Sequence, residues 1–95
     1  MSNIAATIQQ QLGNQTFAML GAYNLMDHGD ALGFRFRGCR NANHVKIALA
    51  ADDTYTLTFC KVVKWDVRNE DEVPGVYADS LRAVIEDKTG LYTRL

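Results

Sequence analysis

Few side chains in this 95-residue chain have types that do chemistry: two histidines, two cysteines and a set of basic residues in the middle third. His28 lies in Asp27-His28-Gly29-Asp30, a string built from metal-ligand residue types. A metal requires several ligands aimed at one point, and a four-residue turn does not bring Asp27, His28 and Asp30 together. The string reads as a solvated turn, and no metal is expected. His44 opens an extended stretch and reads as a surface residue rather than a general base. Basic neighbours around Cys39 would favour its thiolate. Neither cysteine has a histidine close in sequence, however, so the structural reading is preferred to the nucleophile. Asn69-Glu70-Asp71-Glu72 reads as a solvated acidic loop rather than a cation site. No nucleophile-elbow, zinc-protease, phosphate-loop or dinucleotide motif occurs. The chain is therefore not expected to be an enzyme, and no cofactor is expected.

The remaining candidates are basic. Within a net charge of -1, residues 1–34 carry -2, residues 35–68 carry +4 and residues 69–95 carry -3. Leu32, Phe34 and Phe36 alternate with Gly33, Arg35 and Arg37, and Val45, Ile47 and Leu49 alternate with His44, Lys46 and Ala48. A period of two places the apolar set on one face of a sheet and the polar set on the other. Arg35, Arg37, His44 and Lys46, with Thr56, Thr58 and more distantly Lys64, then form an open basic face. Such a face is a phosphate-binding surface in nucleic-acid binders, where Lys and Arg release condensed counterions. No aromatic residue shares the outer parity of 31–37, 44–49 or 54–60, whereas single-strand binders stack bases on rings. Arg and Thr also serve simply to present a wet face, so a solvated surface is the competing reading.

The elements that position these residues follow from the same periodicities. Ile4, Ile8 and Leu12, with Ala5 beside them, predict an amphipathic helix over 3–12 that ends at Gly13. Phe17, Met19 and Leu25 suggest a strand over 16–25. Turn residues at 27–30, 38–43 and 52–53 separate strands over 32–37, 44–49 and 55–60. Val63, Trp65 and Val67 extend the alternation, but Lys61 falls on the apolar parity. A bulge, a strand end or a bend would each resolve that conflict. Residues 69–75, with Pro74 and Gly75, read as an acidic loop. Tyr77, Leu81, Val84, Ile85 and the stem of Lys88 share one face of a helix over 77–88, followed by a stop at Gly90 and an apolar tail, 91–95, that packs back. Short turns favour antiparallel neighbours. The expected fold is α+β: one domain, 1–95, with a four- or five-stranded antiparallel meander flanked by a short N-terminal helix and a C-terminal helix packed on one face.

Hydrophobic residues make up 47% and charged residues 22%, which fits a folded domain and excludes bulk disorder. Two cysteines do not make a disulfide scaffold. The first 15 residues carry no Lys or Arg, so no signal peptide is expected, and Phe17–Tyr23 is too short to span a membrane. Four strings carry a resemblance: Gln11-Leu12-Gly13-Asn14-Gln15-Thr16-Phe17-Ala18-Met19, Asp53-Thr54-Tyr55-Thr56, Gly75-Val76-Tyr77-Ala78-Asp79-Ser80-Leu81 and Thr89-Gly90-Leu91-Tyr92-Thr93-Arg94-Leu95. From residue 11 onward the chain resembles a family of small uncharacterised proteins of phages, prophages and mobile elements. The resemblance brings no catalytic or binding residues. It implies the bacterial cytoplasm and an accessory role, binding a replication component, a nucleic acid or a host defence complex. A protein partner is the leading expectation and nucleic acid the first alternative. A homo-oligomer is the second, formed through an edge strand with Trp65 or the tail residues Leu91, Tyr92 and Leu95.

Overall fold

A computed structural model describes residues 3–39, 42–64 and 66–91. Helix α1 (Asn3–Leu12) buries Ala5, Ile8 and Leu12, the stripe that its i, i+3/i+4 spacing marks out. Gly13 separates it from a second helix, α2 (Asn14–Leu20), where a strand over 16–25 was expected. The helical period wins because Thr16 and Leu20, four apart, are both buried, while Met19 is 37% exposed. The Thr16 hydroxyl caps the junction by donating to the Leu12 carbonyl at 2.6 Å. Phe17 packs edge-on against Phe34, with centroids 5.2 Å apart. The helix stops at Gly21, whose left-handed φ of 63° a side chain would strain.

Five strands follow: β1 (Tyr23–Asp27), β2 (Ala31–Arg35), β3 (His44–Leu49), β4 (Tyr55–Val63) and β5 (Asp66–Val76). They form one antiparallel meander in sequence order. The β1–β2 turn is held by Asp27, whose Oδ1 accepts from the Gly29 amide at 2.8 Å. Asp52 plays the same part before β4, accepting from both the amide and the hydroxyl of Thr54. These bonds hold its carboxyl below the usual range.

The acidic run 69–75 is not a loop. It belongs to the edge strand β5, which accommodates extra residues opposite Phe59–Lys61 and opposite Tyr55–Leu57. Asn69 and Gly75 take left-handed φ values of 55° and 68° at those irregularities. Pro74 is tolerated because an edge strand has a row of amides with no ladder to join. This also settles the parity conflict at Lys61: β4 runs on unbroken to Val63, and the additional residue lies in β5. Trp65 lies outside the described residues.

After β5 a single 3₁₀ turn (Ala78–Ser80) leads into α3 (Leu81–Thr89). Leu81, Ile85 and Thr89 are buried at i, i+4 and i+8. Tyr77, expected on that face, is 66% exposed because the chain is still extended there. Leu91 packs against the core, and the tail beyond it lies outside the described residues.

The helices cover one face of the sheet. Leu32, Phe34, Val45, Ile47 and Leu57 are fully buried there with Ile8, Leu12, Leu81 and Ile85. Each such side chain contributes about 1.5–3 kcal/mol on leaving water. Gln11 reaches from α1 to accept the Tyr55 hydroxyl proton at 2.8 Å, so the polar tip of that buried ring is satisfied. No helix among the described residues is long and apolar enough to cross a membrane.

Candidate binding face of the sheet

Phe34 and Phe36 are 0% and 1% exposed, whereas Arg35 is half-buried and Arg37 exposed. The inward and outward assignment read from the alternation therefore holds. Ladder partners share a face, so the pairs Tyr23–Arg35, Arg35–His44 and His44–Cys60 make one continuous row across the outer side. The next row runs from Met26 through Gly33, Lys46 and Thr58 to Glu72. Four of the five expected site residues are brought together here: Arg35, His44 and Lys46 in the rows, and Arg37 just past the end of β2. Lys64 is not part of them. It occupies the β4–β5 turn beyond the last ladder pair, Val63–Asp66.

The three strands read from the alternation carry no outward aromatic residue, but β1 adds Tyr23 to the rows. A register irregularity between Tyr23 and Met26, with Asn24 at φ 54°, turns both side chains to the outer face. The Arg37 guanidinium lies 4.7 Å from the Tyr23 ring centroid, a cation–π contact. Beside it, a cleft of about 420 Å³ has Arg35 and His44 among its lining residues, together with Asn24, Leu25, Met26 and Val62.

Antiparallel topology sorts the charges by end. The 37–43 connection, the β4–β5 turn and the strand ends beside them carry Arg35, Arg37, Lys61, Lys64 and Arg68. The turns at the opposite end carry Asp27, Asp30, Asp52 and Asp53. Arg68 is partly neutralised by Asp66 at 2.8 Å, and Lys88 of α3 pairs with Asp71 at 2.7 Å. Among the described residues, no carboxylate pairs with Arg35, Arg37 or Lys46.

His44 is central to the face. Burial first, and then the positive charge of Arg35, the His28 ring and Lys46, hold its pKa below the ordinary 6.5. Its Nδ1 lies 3.7 Å from the Cys60 sulfur. Burial, with Glu70 adding to it, pushes the Cys60 thiol up from its ordinary value. Both partners are thus neutral near pH 7, the opposite of the thiolate–imidazolium pair that a cysteine nucleophile requires. The sequence distance between residues 44 and 60 had hidden this contact.

His28 is the other residue the sequence left aside. Its ring folds back from the turn onto Gly33: a Cβ at that glycine would lie 2.8 Å from His28 Nε2 and 3.5 Å from His44 Nε2. A glycine inside an otherwise bulky strand was the available sign of such a close approach. Among the described residues no three His, Cys, Asp or Glu side chains converge as metal ligands. No family model, no curated protein and no solved structure matches the chain. The reading of the site therefore rests on its own chemistry.

Proposed function

We infer that the protein is a non-enzymatic binding module that uses the outer sheet face to hold an acidic segment of a partner protein. The observation that carries this reading is the pairing of a cation with an apolar cleft: Arg35, with no carboxylate in ion-pair contact among the described residues, lies with the neutral His44 ring beside Leu25, Met26 and Val62. Exposed Val67, the ladder partner of Val62, continues the apolar surface at the same end of the sheet. A protein segment with carboxylates next to apolar side chains satisfies both features, because charge complementarity sets orientation and on-rate while apolar burial supplies affinity. Tyr23 beside Arg37 favours a second reading, base stacking with phosphate contacts. The protein reading is preferred because the Tyr23 ring is half-buried and already occupied by Arg37. The resemblance to phage and mobile-element proteins suggests a host or replication protein as the target, in the bacterial cytoplasm.

The test is affinity capture from bacterial lysate with the native chain and with an Arg35→Ser/Arg37→Ser/Lys46→Ser variant of unchanged fold. The expected result is a protein partner that survives nuclease treatment and is lost with the triple variant. Capture equal for both chains overturns the reading. Capture abolished by nuclease transfers it to nucleic acid.

A further inference from the structure

We propose that His28, Arg35, His44 and Lys46 form a site for one phosphate group, free or as a monoester, on the outer face around Gly33. The proposal shares the open face with the binding reading above and rests on it only in that respect. Its probe is a free ion, so its outcome is independent of any macromolecular partner.

The geometry starts from the missing side chain. Both imidazole Nε2 atoms lie within 3.5 Å of the position that a Gly33 Cβ would take. Lys46 is the ladder partner of Gly33, and Arg35 is the ladder partner of His44. Four cationic or proton-donating groups therefore occupy one block of the sheet. Like charges so placed repel one another, and among the described residues no carboxylate is in ion-pair contact with Arg35 or Lys46, the nearest in the rows being Glu72, beyond Thr58.

The hydrogen-bonding state of His44 suits an anion. When the protonated Cys60 thiol donates to Nδ1, 3.7 Å away, the ring proton of the neutral imidazole sits on Nε2. That places an N–H donor on the side of the ring facing Gly33 and His28. The groups that face His44 are Arg35 from β2, His28 from the β1–β2 turn, Lys46 from its own strand and Cys60 from β4. Neither Arg35 nor Lys46 has an acceptor that could compete for that proton.

The charge count selects the anion. Arg35 and Lys46 supply two fixed positive charges, and the imidazoles supply N–H donors. A carboxylate offers one charge and two oxygens, whereas a phosphate monoester carries about -1.5 to -2 at neutral pH and three acceptor oxygens. Arg35 contributes a planar fork that engages two of those oxygens together. Anion binding favours the protonated form of His44, so it raises that ring's pKa from its depressed value.

The measurement is NMR of the two histidine rings, titrated with inorganic phosphate at constant ionic strength. Acetate and chloride serve as controls, and Gly33→Ala, His28→Ala and Arg35→Gln as variants. Gly33 has no left-handed φ, so the new methyl displaces the far end of His28 without straining the strand. The expected result is a saturable shift of both rings with phosphate alone and a higher His44 pKa when phosphate is bound. Affinity should fall about fivefold in Gly33→Ala and His28→Ala, the worth of one hydrogen bond, and by more in Arg35→Gln. Rings that do not move, equal shifts with acetate or chloride, or full affinity in folded His28→Ala would each overturn the site.

Discussion

Arg35 and His44 face each other as partners on adjacent strands, one a fixed cation and the other an imidazole kept neutral beside it. Burial lowers the pKa of His44 most, and Arg35 adds to the effect. Arg35→Gln is therefore expected to move the His44 pKa up toward 6.5 without restoring it fully, as read by NMR titration of the ring. An unchanged pKa would show that the guanidinium does not act on the imidazole.

The same shift gives stability a pH dependence of defined sign. With a folded-state pKa below the unfolded 6.5, His44 binds fewer protons when folded. Its contribution is fully present above pH 6.5 and is lost as pH falls from there through the folded value. Replacing His44 by Gln should flatten that part of the stability curve, measured by urea denaturation between pH 5 and 8.

Phe34 joins the two layers, packing against Phe17 of α2 while fully buried in β2. Phe34→Ala is expected to cost about 3–5 kcal/mol, a large share of the roughly 5–15 kcal/mol that holds such a domain together. Chemical denaturation reads this directly. A loss of under about 1 kcal/mol would mean that the ring is not a core residue.

Gly21 ends α2 in the left-handed region. Gly21→Ala should cost about 1–2 kcal/mol. Gly33→Ala, at an ordinary φ, should leave stability nearly unchanged. Thermal melts of the two variants separate a conformational requirement from a requirement for space.

What the sequence made legible was whatever a single period encodes. Three strands, the first helix and the outward set of Arg35, Arg37, His44 and Lys46 all follow from alternation or from i, i+4 spacing. The segment 14–20 misled because Phe17 and Met19 mimic alternation, and Thr16 gives no sign of burial until its hydroxyl bonds the preceding helix. The strand over 66–76 was hidden by its acids, Pro74 and two irregularities, the features that keep a sheet edge from pairing with another chain. Tyr23 joins the face only through a bulge that has no one-dimensional signature, His28 through a folded-back turn at which only Gly33 hints, and Cys60 meets His44 only through cross-strand pairing.

The edge itself yields a test. Glu70 and Glu72 lie exposed on β5. Changing both to Thr should promote self-association, seen as light scattering that rises with protein concentration while the native chain stays unchanged. Equal scattering from both would show that these carboxylates do not guard the edge.

A partner held on the bare side of the sheet shields the strands that form it, which hydrogen–deuterium exchange of the captured complex reads. New protection is expected in residues 23–27, 33–37 and 44–46, with the helices over 3–20 and 81–89 unchanged. Protection confined to those helices, with the strands exchanging as in the free protein, would contradict that placement.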